Sequence, residues 1–267
     1  MSATAGATVA AGTAALSAAG CDTPRLDAEL LVADAIGVDR AALLADPRRE
    51  LDEEVARLAS EHLERRTRRE PVAYILGRRA FRRLELIVDR RVLIPRPETE
   101  LVVELALELA RRGARVHDVG TGSGAIALAL KDERPDLAVS GSDSSRPALE
   151  VARMNADRLD LDVALIFHGG LPPGPHELVL ANLPYIGSEE WPGLAPELRE
   201  FEPREAFLAG YDGLAAIPAL VHEAPEGTLL VLEHGATQGP AVRALLRQPE
   251  THRDLAGHER VTVGRAP

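Results

Sequence analysis

Three groups of residues in this chain of 267 could do chemistry together. Asp118 stands just before a glycine run, Gly120-Thr121-Gly122-Ser123-Gly124. A second acid, Asp143, follows 23 residues after Gly120, and Asn182-Leu183-Pro184-Tyr185 comes later still. Glycines at a strand-to-helix turn let the backbone bend tightly and approach a ligand with no Cβ in the way. The N-terminus of the next helix offers unpaired N–H groups. An acid about 20 residues further on has the spacing at which a βαβ unit sets a carboxylate against ribose hydroxyls. These residues read as a nucleoside site. The glycines fall as G-x-G-x-G rather than as the dinucleotide pattern G-x-G-x-x-G. Asp118 beside them would repel a pyrophosphate and suits a ligand carrying positive charge. A sulfonium nucleoside, S-adenosylmethionine, therefore fits better than a nicotinamide dinucleotide.

The later group has a different use. Asn182 and the Leu183 carbonyl can accept the two N–H groups of a planar NH₂, Pro184 stiffens the turn, and the Tyr185 ring covers a face. By itself such a group reads more readily as a proline turn with a buried tyrosine. Following a strand downstream of the glycine run, it reads as a substrate slot, because ligands of doubly wound sheets lie outside the carboxyl ends of the strands.

The elements that must hold these residues can be read from periodicity. Strands are expected at 115–119, 137–141, 162–167, 177–181 and 228–232, with helices at 98–111, 125–131, 213–222 and 238–247. The tail, 252–265, reads as an antiparallel hairpin at the sheet edge, with its turn at Gly257-His258. This alternation predicts a doubly wound α/β sheet with a mixed edge. Ahead of it, Thr23 reads as an N-cap followed by Pro24, opening a helix that ends near Gly37; two more helices follow at 39–45 and 51–69. The basic run Arg65–Glu70 at the end of the last reads as a solvated face. A hairpin is expected from the runs 81–88 and 92–94. Residues 1–20 carry no Lys or Arg and read as a weakly amphipathic helix or a frayed end, not as a signal peptide.

Composition narrows the classes. With 31 Lys and Arg against 42 Asp and Glu, the net charge is −11, which argues against a protein that coats nucleic acid. Cys21 is the single cysteine, so no internal disulfide or cysteine metal cluster is expected, and a reducing cytoplasm fits. No apolar run reaches the ~18 residues of a membrane span.

Taken together, the motifs PRLDAELLVADAIG, EPVAYILG, VLIPRPETELVVE, DVGTGSGAIALAL, ANLPYI, FEPREAFLAGYDGL and LLVLEHG cover most of the chain. The chain resembles the peptide chain release factor glutamine N5-methyltransferases (PrmC/HemK). The resemblance implies a class I methyltransferase domain with a mixed seven-stranded sheet (98–267), joined by a β-hairpin (76–97) to a helical substrate-recognition domain (1–75). It implies transfer of a methyl group from S-adenosylmethionine to the Gln amide of the Gly-Gly-Gln motif in class I release factors. Neither a metal nor direct contact with nucleic acid or membrane is expected, and the protein is expected to be a monomer.

The family's cofactor loop falls on Gly120, Thr121, Gly122, Ser123 and Gly124, and its ribose-binding acid on Asp143. Its Asn-Pro-Pro-Tyr slot falls on Asn182, Leu183, Pro184 and Tyr185, with Asn182 also counted toward the cofactor. Two positions depart from the pattern. Leu183 stands where the family has Pro, and His168-Gly169-Gly170 stands where it usually carries an acid near the adenine. Three rival readings remain: a same-fold methyltransferase acting on another protein glutamine or on adenine, a nicotinamide-dependent oxidoreductase, which the G-x-G-x-G spacing and Asp118 disfavour, and a cofactor-binding protein that only docks release factor.

Overall fold

The computed structural model describes residues 4–267. The chain forms two compact units, Met1–Gly77 and Arg78–Pro267.

The first unit is helical: α1 (Ala5–Ala18), α2 (Pro24–Ile36), α3 (Arg40–Ala45), α4 (Glu53–Thr67) and α5 (Val72–Leu76). Thr4, Asp39 and Asp52 cap α1, α3 and α4 by accepting the N–H three residues on, satisfying donors the helix itself cannot. Residues 1–3 of the expected first helix lie outside the described residues. At Thr23 the structure differs from the expectation. Its hydroxyl donates to the Asp27 carboxylate at 2.7 Å and makes no cap bond. α1 lies so close to α4 that a Cβ on Gly12 would sit 2.7 Å from a Leu63 methyl. The basic end of α4 is not uniformly solvated either. Arg66 is buried and its Nε meets Asp27 at 2.7 Å, as a guanidinium inside a protein must be paired. α5 follows Pro71 and was not legible as a helix because only five residues form it.

The second unit opens with an antiparallel hairpin of β1 (Arg78–Phe81) and β2 (Leu84–Ile87). The turn is therefore at Arg82-Arg83, with Arg82 at φ +52°, and not at Asp89-Arg90-Arg91 as the sequence suggested. Asp89 instead folds its carboxylate back onto the Arg91 N–H and guanidinium, which ends the extended run before Val92. Asn155 fastens the hairpin by donating to the Ile87 carbonyl and accepting its N–H.

Then come α6 (Glu100–Leu109), β3 (Arg115–Val119), α7 (Ala125–Glu133), β4 (Ala138–Asp143), α8 (Arg146–Leu159), β5 (Ala164–Phe167), β6 (Leu178–Ala181), α9 (Pro196–Phe201), α10 (Ala216–Glu223), β7 (Leu229–Glu233), α11 (Gly239–Arg243), β8 (Arg247–Arg253) and β9 (Glu259–Arg265). The sheet order is β5-β4-β3-β6-β7-β9-β8. Its first five strands run parallel, and β9 and β8 close the edge antiparallel. This is the mixed seven-stranded sheet expected. In the centre of the sheet β6 is buried at every residue, which explains its unbroken apolar sequence. α11 stops at Arg243 rather than Arg247, because Arg247 already pairs with Arg265 in the edge hairpin.

Candidate active site

The glycine loop leaves β3 and turns through Gly120, Gly122 and Gly124 at φ +73°, +56° and +84°. At Gly120 a Cβ would also lie 3.0 Å from a Leu183 methyl, so the loop and the slot are packed on one another. A Cβ on Gly122 would meet only the Gly120 carbonyl, at 4.0 Å. That side of the loop is open to a ligand. The loop is held by β4: Gly120 and Thr121 N–H both donate to the Ser142 carbonyl, at 2.8 and 2.9 Å.

Asp143, at the tip of β4, accepts the Gly122 N–H at 2.9 Å on one oxygen and the Ser145 N–H at 2.8 Å on the other. It thus joins the glycine loop to the start of α8. Burial raises its pKa from the ordinary value, against these two bonds.

Asp118 is placed elsewhere. Its side chain is buried beneath the loop, where Oδ2 accepts the Thr121 hydroxyl at 2.7 Å. The Ala127 N–H in the first turn of α7 also reaches the carboxylate, a position favoured by the helix dipole. Its Oδ1 is buried with no partner, and burial pushes the carboxyl up to about 7. A carboxyl whose folded-state pKa is raised costs no stability below its ordinary value, and the cost grows as pH climbs toward 7. Asp118→Asn removes that cost while leaving a partner for Thr121. Urea unfolding at pH 5 and pH 8 should show the stability difference between variant and parent moving in the variant's favour, by about 3 kcal/mol across that interval. An unchanged difference would mean that Asp118 ionises in the fold as it does in water.

Asn182, Leu183 and Pro184 follow β6, the parallel neighbour of β3. Asn182 Nδ2 donates to the Thr99 hydroxyl at 2.9 Å. Thr99 ends the short turn Pro97–Thr99 and is buried. Its hydroxyl also bonds the Glu233 carboxylate, whose Oε1 lies 3.4 Å from the Tyr185 hydroxyl. Glu233 is buried, and its carboxyl is pushed up to about 7, while burial raises the Tyr185 phenol to about 12. Gln238 donates to the Tyr185 carbonyl at 2.9 Å, and Ile186 N–H donates to the Phe207 carbonyl at 2.8 Å, so the backbone of the slot is pinned. Among the described residues, no donor reaches Asn182 Oδ1 or the Leu183 carbonyl.

Gly120, Gly122, Asp143, Asn182, Leu183 and Pro184 line one cavity of about 310 Å³. Asp118, Thr121, Ser123, Gly124 and Tyr185 do not line it; they support the residues that do. Glu205 and Glu223 add carboxylates to the wall beside Asp143, and the one lining arginine, Arg91, is held by Asp89 at 2.6 Å. The cavity therefore favours a cationic ligand and disfavours a pyrophosphate. No group of His, Cys, Asp and Glu among the described residues could hold a metal ion. His117 and His234 are fully buried against Ser140, Ser142 and Thr262, so they are core residues, whereas His168 lines the cavity.

Thr99, Glu223 and Glu233 had no role in the sequence reading. Thr99 lies inside the motif RPETE, which helped to carry the family resemblance without revealing a bond. Glu233 closes an apolar strand, and such an acid commonly marks only the strand's end. Glu223 gave no signal, since its partner is created by the tertiary fold.

The parallel sheet with its antiparallel edge, the glycine loop and the slot after β6 define a class I methyltransferase. Residues 98–188 match the family description "Methyltransferase small domain" and residues 8–77 match "PrmC N-terminal domain". A methyltransferase from Pyrococcus furiosus shares the fold at TM-score 0.51 and 17% identity, over 70% of this chain and 90% of that one. The hMettl16 catalytic domain, solved with a 3′UTR hairpin, does so at TM-score 0.52 and 14% identity, over 80% of this chain and 82% of that one.

Sequence relatives are much nearer. The release factor glutamine methyltransferase of Caulobacter vibrioides is 42% identical over 92% of this chain and 91% of its own length. That of Vibrio cholerae is also 42% identical, over 99% of this chain and 97% of its own length. The chain belongs to the release factor glutamine methyltransferase family.

Proposed function

We propose that the protein methylates the side-chain amide nitrogen of the Gln in the Gly-Gly-Gln motif of class I peptide chain release factors, with S-adenosylmethionine as donor. One observation carries this reading: two acceptors with no protein donor, Asn182 Oδ1 and the Leu183 carbonyl, stand on the wall of an acid-lined cavity whose other side is the glycine loop and Asp143. The residues present fit the donor. The open side of Gly122 gives a cradle, Asp143 meets ribose hydroxyls, and the carboxylates of the wall suit positive charge.

When bound, S-adenosylmethionine supplies a methyl group on a positively charged sulfur. An amide nitrogen is a poor nucleophile because its lone pair is delocalised, so the protein's task is positioning and charge placement. Asn182 Oδ1 and the Leu183 carbonyl accept the two N–H groups of the Gln amide and orient its nitrogen. Both oxygens also stabilise the positive charge that grows there during transfer. Thr99 decides which way the Asn182 amide faces: with Nδ2 engaged at 2.9 Å, Oδ1 is the atom left for substrate. Tyr185, tied to Glu233 through its hydroxyl and to Gln238 through its carbonyl, holds the slot from behind rather than facing the substrate. A methylated amide cation loses its proton readily, so no strong base is required.

On this reading the helical unit ending at Gly77 recognises the folded release factor, and the protein acts as a cytoplasmic monomer without direct nucleic-acid contact. No helix of the described residues is long and apolar enough to cross a membrane. Incubation with labelled S-adenosylmethionine and release factor, its Gln→Ala variant, ribosomal protein or DNA tests the reading. Label is expected on release factor alone and only while the Gln is present. Label on DNA or ribosomal protein, or on none of the four, would overturn it.

A further inference from the structure

The geometry points to Glu223 as the residue that reads the amine of the donor's adenine and so selects a 6-amino over a 6-oxo purine. This rests on the cofactor reading above. The sheet order sets which way the nucleoside must lie. Its reactive end has to meet the slot after β6, on one side of β3, while its ribose meets Asp143 on the other side, at the tip of β4. The base therefore falls one strand further out. There β5 ends, with Phe167 paired to Asp143 and His168, Gly169 and Gly170 forming the cavity wall.

Two of those three wall residues carry no side chain. Gly170 sits at φ +117°, a conformation open to glycine, and a Cβ there would lie 2.4 Å from Glu223 Oε2. The carboxylate of Glu223, arriving from the end of α10, occupies the space that a side chain at 170 would fill. Its position is fixed, because the Leu171 N–H donates to Oε2 at 2.9 Å. Among the described residues no donor reaches Oε1, and Glu223 lines the cavity. Beside it, His168 Nδ1 is buried with no partner, a second polar atom in the same wall left for a ligand.

An exocyclic amine offers two N–H donors, and a carboxylate is an acceptor only. The keto oxygen of a 6-oxo purine would face that carboxylate lone pair to lone pair. Glu223→Gln keeps an acceptor for the Leu171 N–H and puts an NH₂ where the second oxygen stood. The variant therefore changes the chemistry of the site without emptying it.

The test is calorimetric affinity of the full-length protein for S-adenosylhomocysteine and for its inosine counterpart, in the parent and in Glu223→Gln. The parent is expected to prefer the adenosine ligand by about tenfold or more, as for a charge-assisted hydrogen bond. Glu223→Gln should weaken the adenosine ligand by about tenfold and hold or tighten the inosine one, so that the preference collapses. If the variant keeps the parent's preference, or weakens both ligands equally, Glu223 does not read the base, and the cofactor assignment still stands. If the parent binds neither ligand, the cofactor assignment fails and this inference falls with it.

Discussion

Asn182→Ala should lower single-turnover methyl transfer to release factor by roughly 100- to 1000-fold, the scale on which one preorganised polar contact to a transition state acts. The variant loses an acceptor that orients the Gln amide and balances the charge growing on its nitrogen. Cofactor affinity should fall far less, because the cofactor keeps Asp143 and the glycine loop. Thr99→Val gives the companion result. It leaves Asn182 in place but removes the oxygen that holds Nδ2, so the amide is free to present either end. A loss of about fivefold is expected there, the equivalent of about 1 kcal/mol for one neutral hydrogen bond. Rapid-quench measurement at saturating S-adenosylmethionine separates chemistry from binding. An Asn182→Ala rate within a few-fold of the parent would remove the side chain from the chemistry and leave the Leu183 carbonyl alone.

Asp143→Ala should abolish the rise in melting temperature that S-adenosylmethionine gives the parent, since stabilisation by a ligand vanishes with its affinity. From sequence alone the ligand-free variant would be expected to melt like the parent. The structure changes that expectation. Asp143 accepts N–H groups of Gly122 and Ser145, and two partly buried donors left without an acceptor cost about 2 kcal/mol or more together. The ligand-free variant should melt roughly 4–8 °C lower, and Asp143→Asn should recover part of that loss without recovering the cofactor. Differential scanning calorimetry with and without S-adenosylmethionine reads both effects. A ligand-dependent shift that survives in Asp143→Ala would take the ribose away from this residue.

The sheet was legible because its strands are short, apolar and separated by glycine and proline. The glycine loop and the slot were legible because local spacing carries them. Residues whose role depends on a distant partner were not. Asp118 shows this: the sequence places an acid next to the glycines, but only the fold shows its carboxylate turned under the loop onto Thr121. Thr23 has the identity of a cap and spends its hydroxyl on Asp27 instead. Arg66 sits in a run of arginines that reads as solvated, yet an acid 39 positions earlier draws it inside. The hairpin was misplaced because alternation alone does not fix a turn. The backbone of Arg82 and the folded-back carboxylate of Asp89 decide it.

The chain of bonds Asn182–Thr99–Glu233–Tyr185 also bears on how the protein comes into being. Its members lie on segments that a ribosome delivers far apart in time. β7, which brings Glu233, is flanked by β6 and by β9 near the very end of the chain. A nascent chain that has already emitted the glycine loop and Asn182 still lacks the residue that fixes Thr99 and Tyr185. Parallel strands pair only after long crossovers, which makes this the slow part of folding. The amide slot is thus complete only once β7 has joined the sheet, after the glycine loop and Asn182 have already been made.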